Sequence, residues 1–171
     1  MPPLGIEATK QDLGVGSHVP ILAAAIARTQ GPIIECGCGF WSTPLVHHAG
    51  AGRVIVSCET DSEWLSKFVG YQRNNHRFVH VRNWREHPVI TSERWSVAFV
   101  DCSPGEERIH VIQRLKPYAT YIIAHDSEAD IPPSGGNYGW KQLEGFFKYE
   151  VIFKDVRPWT TIYSDVEEFK L

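Results

Sequence analysis

Two groups of residues in this chain of 171 have the types and spacing to do chemistry. The first is the glycine turn Glu35-Cys36-Gly37-Cys38-Gly39, followed about twenty residues later by Glu59. Glycine lacks a Cβ, so the backbone at Gly37 and Gly39 can turn sharply and let a ligand edge touch it. A carboxylate at Glu59 can accept both hydroxyl hydrogens of a ribose. The second group is Asp101 with His125 and Asp126. Two carboxylates at the ends of neighbouring strands, about 5 Å apart, can grip a hard divalent cation such as Mg²⁺ and acidify a bound hydroxyl. Without a metal, His125 is the natural general base, its ordinary pKa of about 6.5 lying close to working pH. Asp101, His125 and Asp126 are therefore the candidate catalytic residues, and Asp101 and Asp126 the candidate metal ligands. The same side chains also have plain structural uses, as helix caps or solvated strand ends.

These residues need a frame that brings strand ends together. Pro20 to Arg28 is Ala-rich behind Ser17 and His18, which reads as a helix with its start signals. Pro32 to Cys36, Arg53 to Glu59, Arg77 to Val81, Trp95 to Asp101 and Tyr121 to His125 are short apolar runs of the kind found in parallel sheets covered on both faces. Helices are expected between them, at Ser42 to His48, Ser62 to Tyr71 and Glu106 to Leu115, with a further one at Trp140 to Phe147. Tyr149 to Val156 and Thr160 to Tyr163 are joined only by Arg157-Pro158-Trp159, too short a link for a parallel crossover, so they form an antiparallel hairpin. The expected fold is α/β: a three-layer, doubly wound sandwich on a seven-stranded, mostly parallel sheet with an antiparallel C-terminal hairpin strand.

Length and 43% hydrophobic content suit a single domain over residues 1–171. With 17 Lys and Arg against 20 Asp and Glu, the net charge is -3; no global basic field exists, and nucleic acid is not expected as a partner. The cluster Arg73, Arg77, Arg82 and Arg85 reads as a solvated face. No apolar stretch in this sequence is long enough to span a membrane, and no signal peptide is expected from its first residues. The four cysteines sit in apolar runs, as reduced thiols of a cytoplasmic protein do, and their spacing does not suit zinc. The loop Ser134 to Trp140 is placed to cover an acceptor, with Tyr138 and Trp140 as walls. A homodimer is left open.

Through IIECGCGFWST, the acid in VSCETD, VDCSPG and the final hairpin, the chain resembles the class I S-adenosylmethionine (SAM)-dependent methyltransferases over nearly its whole length. The resemblance implies that Gly37 and Gly39 pack against the methionine and adenosine parts of SAM. It places Glu35 near the amino-acid end, Glu59 on the ribose, Asn83 and Trp84 at the adenine, and Asp101 beside the sulfonium. The acids after strands four and five look like those of catechol-type O-methyltransferases, in which an Asp-Asn pair binds metal where this chain has Asp126-Ser127. The implied activity is O-methylation of a small molecule, with SAM as cofactor and, on the catechol-type resemblance, Mg²⁺ beside it. Two alternatives stand beside it: a catalytically silent SAM-binding or regulatory subunit, and a transferase using a SAM-like donor, such as an aminopropyl transferase. A dinucleotide reading of Gly37-x-Gly39 is weakened by the missing third glycine.

Overall fold

A computed structural model describes residues 16–128 and 138–170. The first helix, α1 (Val19–Arg28), starts with a proline in its first turn and turns Ile21, Leu22, Ala25 and Ile26 inward. Arg53 closes its far end, donating to the carbonyls of Ile26, Thr29 and Gly31 at 3.0, 3.3 and 2.6 Å, and so satisfies groups a helix end leaves unpaired. Leu22 is fully buried; truncating such a side chain to alanine costs about 2–5 kcal/mol, a large share of a net stability of about 5–15 kcal/mol.

Strands β1 (Ile33–Cys36), β2 (Ile55–Glu59), β3 (His76–His80), β4 (Trp95–Val100), β5 (Ala119–His125), β6 (Tyr149–Phe153) and β7 (Thr160–Ser164) form one seven-stranded sheet in the order β3-β2-β1-β4-β5-β7-β6. β1 to β5 pair in parallel, while β7 runs antiparallel to both β5 and β6, with Ile123 opposite Ile162. The sequence builds the layers by alternation. Ile33, Ile55, Val97, Phe99 and Ile123 pack with α1 and Val46 of α2 (Ser42–Ala49). Their neighbours Ile34, Val56, Ala98 and Ile122 pack with Ile109 and Ile112 of the helix Glu107–Leu115 and with Trp84 and Trp95. Both faces are covered, so β1, β2 and β7 are buried along their whole length.

Two expected helices are shorter than their sequences suggest. Ser62 to Tyr71 divides into α3 (Ser62–Ser66), capped by Asp61, and a 3-10 turn at Val69–Tyr71, because the chain bends to bury Phe68 to 1% exposure. Trp140 to Phe147 is only a 3-10 turn, Trp140–Leu143, bounded by Gly139 and Gly145 with positive φ of 81° and 67°, which a continuing helix does not permit. The helix after β4, α4 (Glu107–Leu115), agrees with expectation to within one residue. Among the described residues no helix is long and apolar enough to cross a membrane. Residues 129–137, which hold most of the glycine-rich loop expected over the acceptor, Ser134 included, lie outside the described part.

Candidate active site

The parallel strands deliver their carboxyl ends to one side of the sheet. β1 stops at Cys36 and Gly37 turns the chain at a φ of 98°. A Cβ there would run into the Asp101 carbonyl and the Cys102 amide, so only glycine lets the turn rest on the end of β4. Gly37 N–H donates to Cys58 O and Asp101 N–H to Cys36 O, both at 2.8 Å, which ties the ends of β1, β2 and β4 together. A Cβ on Gly39 would lie 2.9 Å from Ser42 Oγ.

The Cys38 peptide is held at both ends. Its N–H donates to Glu59 Oε2 at 3.1 Å and its carbonyl accepts from Trp64 Nε1 at 2.8 Å. The glycine turn and the acid after β2 are therefore in direct contact. Glu59 Oε1 also accepts from the Thr60 amide, the Thr60 hydroxyl and the Asp61 amide at 2.6, 3.1 and 3.1 Å. Three donors thus converge on Oε1, while Oε2 accepts from the Cys38 amide and keeps a second acceptor position. The Thr60 hydroxyl has a second acceptor, Ser103 O at 3.2 Å. A cleft of about 390 Å³ opens here, bounded by Cys38, Glu59, Thr60, Asp61, Trp64, Asp101, Ser103 and Pro104. Among the described residues its ionisable carboxyl groups are three, Glu59, Asp61 and Asp101, and no Lys, Arg or His lines it.

Not every expected ligand contact reaches this cleft. Trp84 is 2% exposed in the core, its indole N–H donating to Ser103 O at 2.9 Å, so it presents no ring face to an adenine. Asn83 is exposed and turns its side chain onto the Arg85 amide at 2.9 Å. Glu35 is fully buried beneath the turn, accepting from Thr43 at 3.0 Å and from Ser57 at 2.5 Å. Burial pushes its carboxyl up to about 7. Trp64 and Asp61 were not singled out from the sequence; their place in the cleft follows from Asp61 capping α3 with its Oδ1 on the Glu63 and Trp64 amides.

The second group does assemble. His125 Nδ1 lies 3.3 Å from Asp101 Oδ2 and 3.5 Å from Asp126 Oδ1, and one donor atom from each of the three residues falls within 4.8 Å of the others. Sequence reasoning missed what binds them. Arg108, 7% exposed, places Nη2 at 2.7 Å from Asp101 Oδ1 and Nη1 at 2.9 Å from Asp126 Oδ2, and donates to the carbonyls of Cys102 and His125 at 3.0 Å each. The signal was present: Arg108 stands on the inward stripe of α4 with Val111, Ile112 and Leu115, where a charge needs a buried partner. Tyr138 covers the guanidinium at 4.8 Å, its ring resting on Gly105 where a Cβ would clash.

This arrangement gives the expected Mg²⁺ site no support. Both carboxylates already neutralise a resident cation, and Ser127 faces away, accepting from Thr161 at 2.7 Å. The hydrogen bonds of His125 also suit it poorly to a metal. Ser17 spends its single hydroxyl hydrogen on Pro158 O at 2.6 Å, so at 2.9 Å from Ser17 Oγ the His125 Nε2 must donate. Nδ1 faces carboxylates that only accept. The ring is therefore an imidazolium, and although burial opposes its charge, the hydrogen bond and charge of Asp101 and the charge of Asp126 raise its pKa. Burial likewise pushes Asp101 up, but His125 and Arg108 outweigh it and hold Asp101 below its ordinary value. His18 lies edge-on to His125 at 4.6 Å; burial and then the His125 charge push its pKa down to about 3, and neither ring nitrogen has a partner among the described residues. The four cysteines are free and buried, and burial raises the thiol pKa values of Cys36, Cys38, Cys58 and Cys102.

Comparison with solved structures agrees with this architecture. The N-terminal domain of human METTL16 in complex with SAH is similar at a TM-score of 0.63 and 15% identity, covering 95% of this chain and 73% of that one. An rRNA methylase from Streptococcus thermophilus is similar at 0.59 and 9%, covering 86% and 95%. Spermidine synthase from Thermotoga maritima follows at 0.57 and 11%, covering 90% of this chain and 59% of that one. The chain spans 40% of a WbdD structure that it also matches. No family model and no curated protein matches the sequence. The fold is that of the class I SAM-dependent methyltransferases. The expectation that nucleic acid is excluded as a partner is overturned, because the same fold serves an rRNA methylase. A net charge averages the whole surface and says nothing about a local binding path.

Proposed function

We propose that the chain is a methyltransferase that binds SAM in the cleft above β1, β2 and β4 and methylates an oxygen of a small molecule. The observation that carries this reading is the cleft's charge: among the described residues Glu59 and Asp61 line it with no basic side chain beside them, Asp101 being balanced by Arg108 from behind, a lining that suits a cationic sulfonium with an ammonium group and repels the pyrophosphate of a dinucleotide. When bound, SAM supplies a methyl group on a positively charged sulfur, open to in-line displacement. The residues of the chain fit it. The turn at Gly37 and Gly39 brings backbone to the cleft floor, and Glu59 Oε2, which accepts from the Cys38 amide, has a further lone pair for a ribose hydroxyl. Asp101, at the inner end of the cleft, is oriented by Arg108 to receive the hydrogen of an acceptor hydroxyl. His125 stands behind it and, once it has lost one proton, takes the acceptor's proton through Asp101.

Titration calorimetry with SAM and SAH, paired with a methyl-transfer screen over hydroxylated small molecules and RNA oligonucleotides, tests the reading. Both ligands are expected to bind, and Gly37→Ala to weaken them by about 5- to 150-fold, since a Cβ at that φ forces the turn off Asp101 at a cost of about 1–3 kcal/mol. Absence of affinity for either ligand overturns it. Tighter binding of decarboxylated SAM replaces it with aminopropyl transfer, transfer to RNA alone replaces the small-molecule acceptor, and binding without any transfer leaves a silent subunit.

A further inference from the structure

A second set of buried polar groups plays no part in the chemistry above. Glu35 lies on β1, Ser57 opposite it on β2, His76 on the sheet edge in β3, and His47 on α2. Glu35 Oε2 is 2.5 Å from Ser57 Oγ, Ser57 Oγ is 2.9 Å from His76 Nε2, and His76 Nδ1 is 3.0 Å from His47 Nδ1. Glu35, Ser57 and His76 are fully buried, while His47 is only partly buried. These contacts connect the carboxyl group beneath the glycine turn to the outside of the molecule.

The hydrogens can be placed by elimination. Gly39 N–H donates to Thr43 Oγ1 at 3.0 Å, and the Thr43 hydroxyl donates to Glu35. Ser57 gives its one hydrogen to Glu35, so His76 Nε2 must carry a hydrogen and donate it to Ser57. In a neutral ring His76 Nδ1 is then an acceptor, and His47 Nδ1 carries the hydrogen between the two rings. Every donor points inward, toward Glu35. Burial, then His47 and Arg73, press the His76 pKa down to about 4, and burial, then His48 and Arg73, lower that of His47, so both rings are neutral near pH 7. The other groups facing this line are Ser42, Asp101 and the thiols of Cys36, Cys38 and Cys58 at Glu35, and Tyr71 and His48 at His47.

We propose that Ser57, His76 and His47 form a proton path that lets Glu35 exchange its proton with solvent, so that the charge under the glycine turn follows both pH and ligand. A proton from water adds to His47 Nε2. The Nδ1 proton of His47 moves to His76 Nδ1, the Nε2 proton of His76 moves to Ser57 Oγ, and the Ser57 proton moves to Glu35 Oε2. One proton enters, a carboxylate becomes a carboxylic acid, and both rings return to neutral with their tautomers exchanged. Through Thr43 the Glu35 charge is joined to the Gly39 amide, so a cation entering the acidic cleft favours ionised Glu35 and expels the proton by the same line. This last coupling rests on the SAM reading; the path itself does not.

The test is a pH titration of the isotopically labelled full chain by nuclear magnetic resonance. Above the Glu35 midpoint His76 is expected as the Nε2–H tautomer and His47 as Nδ1–H; below it both reverse, in step with the Glu35 carboxyl carbon, and Glu35→Gln abolishes the reversal. A His76 tautomer indifferent to the Glu35 titration overturns the path, and the unsubstituted chain alone can show this. Calorimetry in two buffers of different ionisation enthalpy reads the coupling: SAM is expected to release a fraction of a proton near pH 7, more than neutral SAH does. SAM binding with no proton release overturns the coupling, whereas no SAM binding at all overturns the cofactor reading and leaves the tautomers to decide the path.

Discussion

Arg108 Nη2 lies 2.7 Å from Asp101 Oδ1, so the carboxylate that follows β4 is neutralised by a cation from the helix behind it. The same guanidinium reaches Asp126, and with the His125 imidazolium the cluster balances two negative charges against two positive ones. Buried charge is tolerated on such terms, because each ion has a partner and its hydrogen bonds are satisfied. The balance also decides the chemistry: a divalent cation would have to displace an arginine held by four acceptors.

Removing that arginine is expected to uncover the metal site it replaces. Arg108→Ala should lose about 3–5 kcal/mol of stability, since two carboxylates are left facing each other, and should gain measurable affinity for Mn²⁺. The comparison is calorimetric, between variant and unaltered chain. Equal Mn²⁺ affinity in both would show that Arg108 does not guard the site.

The protonated state of His125 sets the direction of the pH profile. A base must be neutral to accept a proton, and this ring's pKa is raised above 6.5, so kcat/KM should climb with pH through a midpoint above that value and then level off. His125→Asn should flatten the climb. A rate that falls over this range would assign the imidazolium, not the free base, to the working enzyme.

His18 carries an opposite signature, readable in stability. Its folded pKa is depressed to about 3 from an unfolded value near 6.5, so the unfolded chain binds more protons between these limits and stability falls as pH drops through them. At pH 5 the penalty is about 2 kcal/mol. His18→Phe keeps the stacking on Phe99, 4.6 Å away, and should remove it: denaturant melts at pH 5 and pH 8 should show the variant gaining about that much at the lower pH only. An equal gain at both pH values would trace the effect to packing.

Much of this molecule was legible without coordinates. The alternation of apolar runs with helical stretches, the glycine turn and the short link before β7 are local patterns, and each expresses a backbone constraint acting over a few residues. They determined the sheet, the position of Glu59 beside the turn, and the convergence of Asp101, His125 and Asp126. Where Gly139 and Gly145, both with positive φ, bound the turn at Trp140–Leu143, the helical pattern overstated the element, since a pattern does not report backbone sign. The working state of the site was decided only by packing. The charge on His125 depends on Ser17, 108 positions away, and on Pro158; the identity of the cation between the aspartates depends on which face of α4 meets β4; and Glu35 reaches solvent only because β1, β2, β3 and α2 set four side chains in a row. Protonation and metal exclusion are properties of distances between groups remote in the chain, and those distances exist only once the layers have closed on one another.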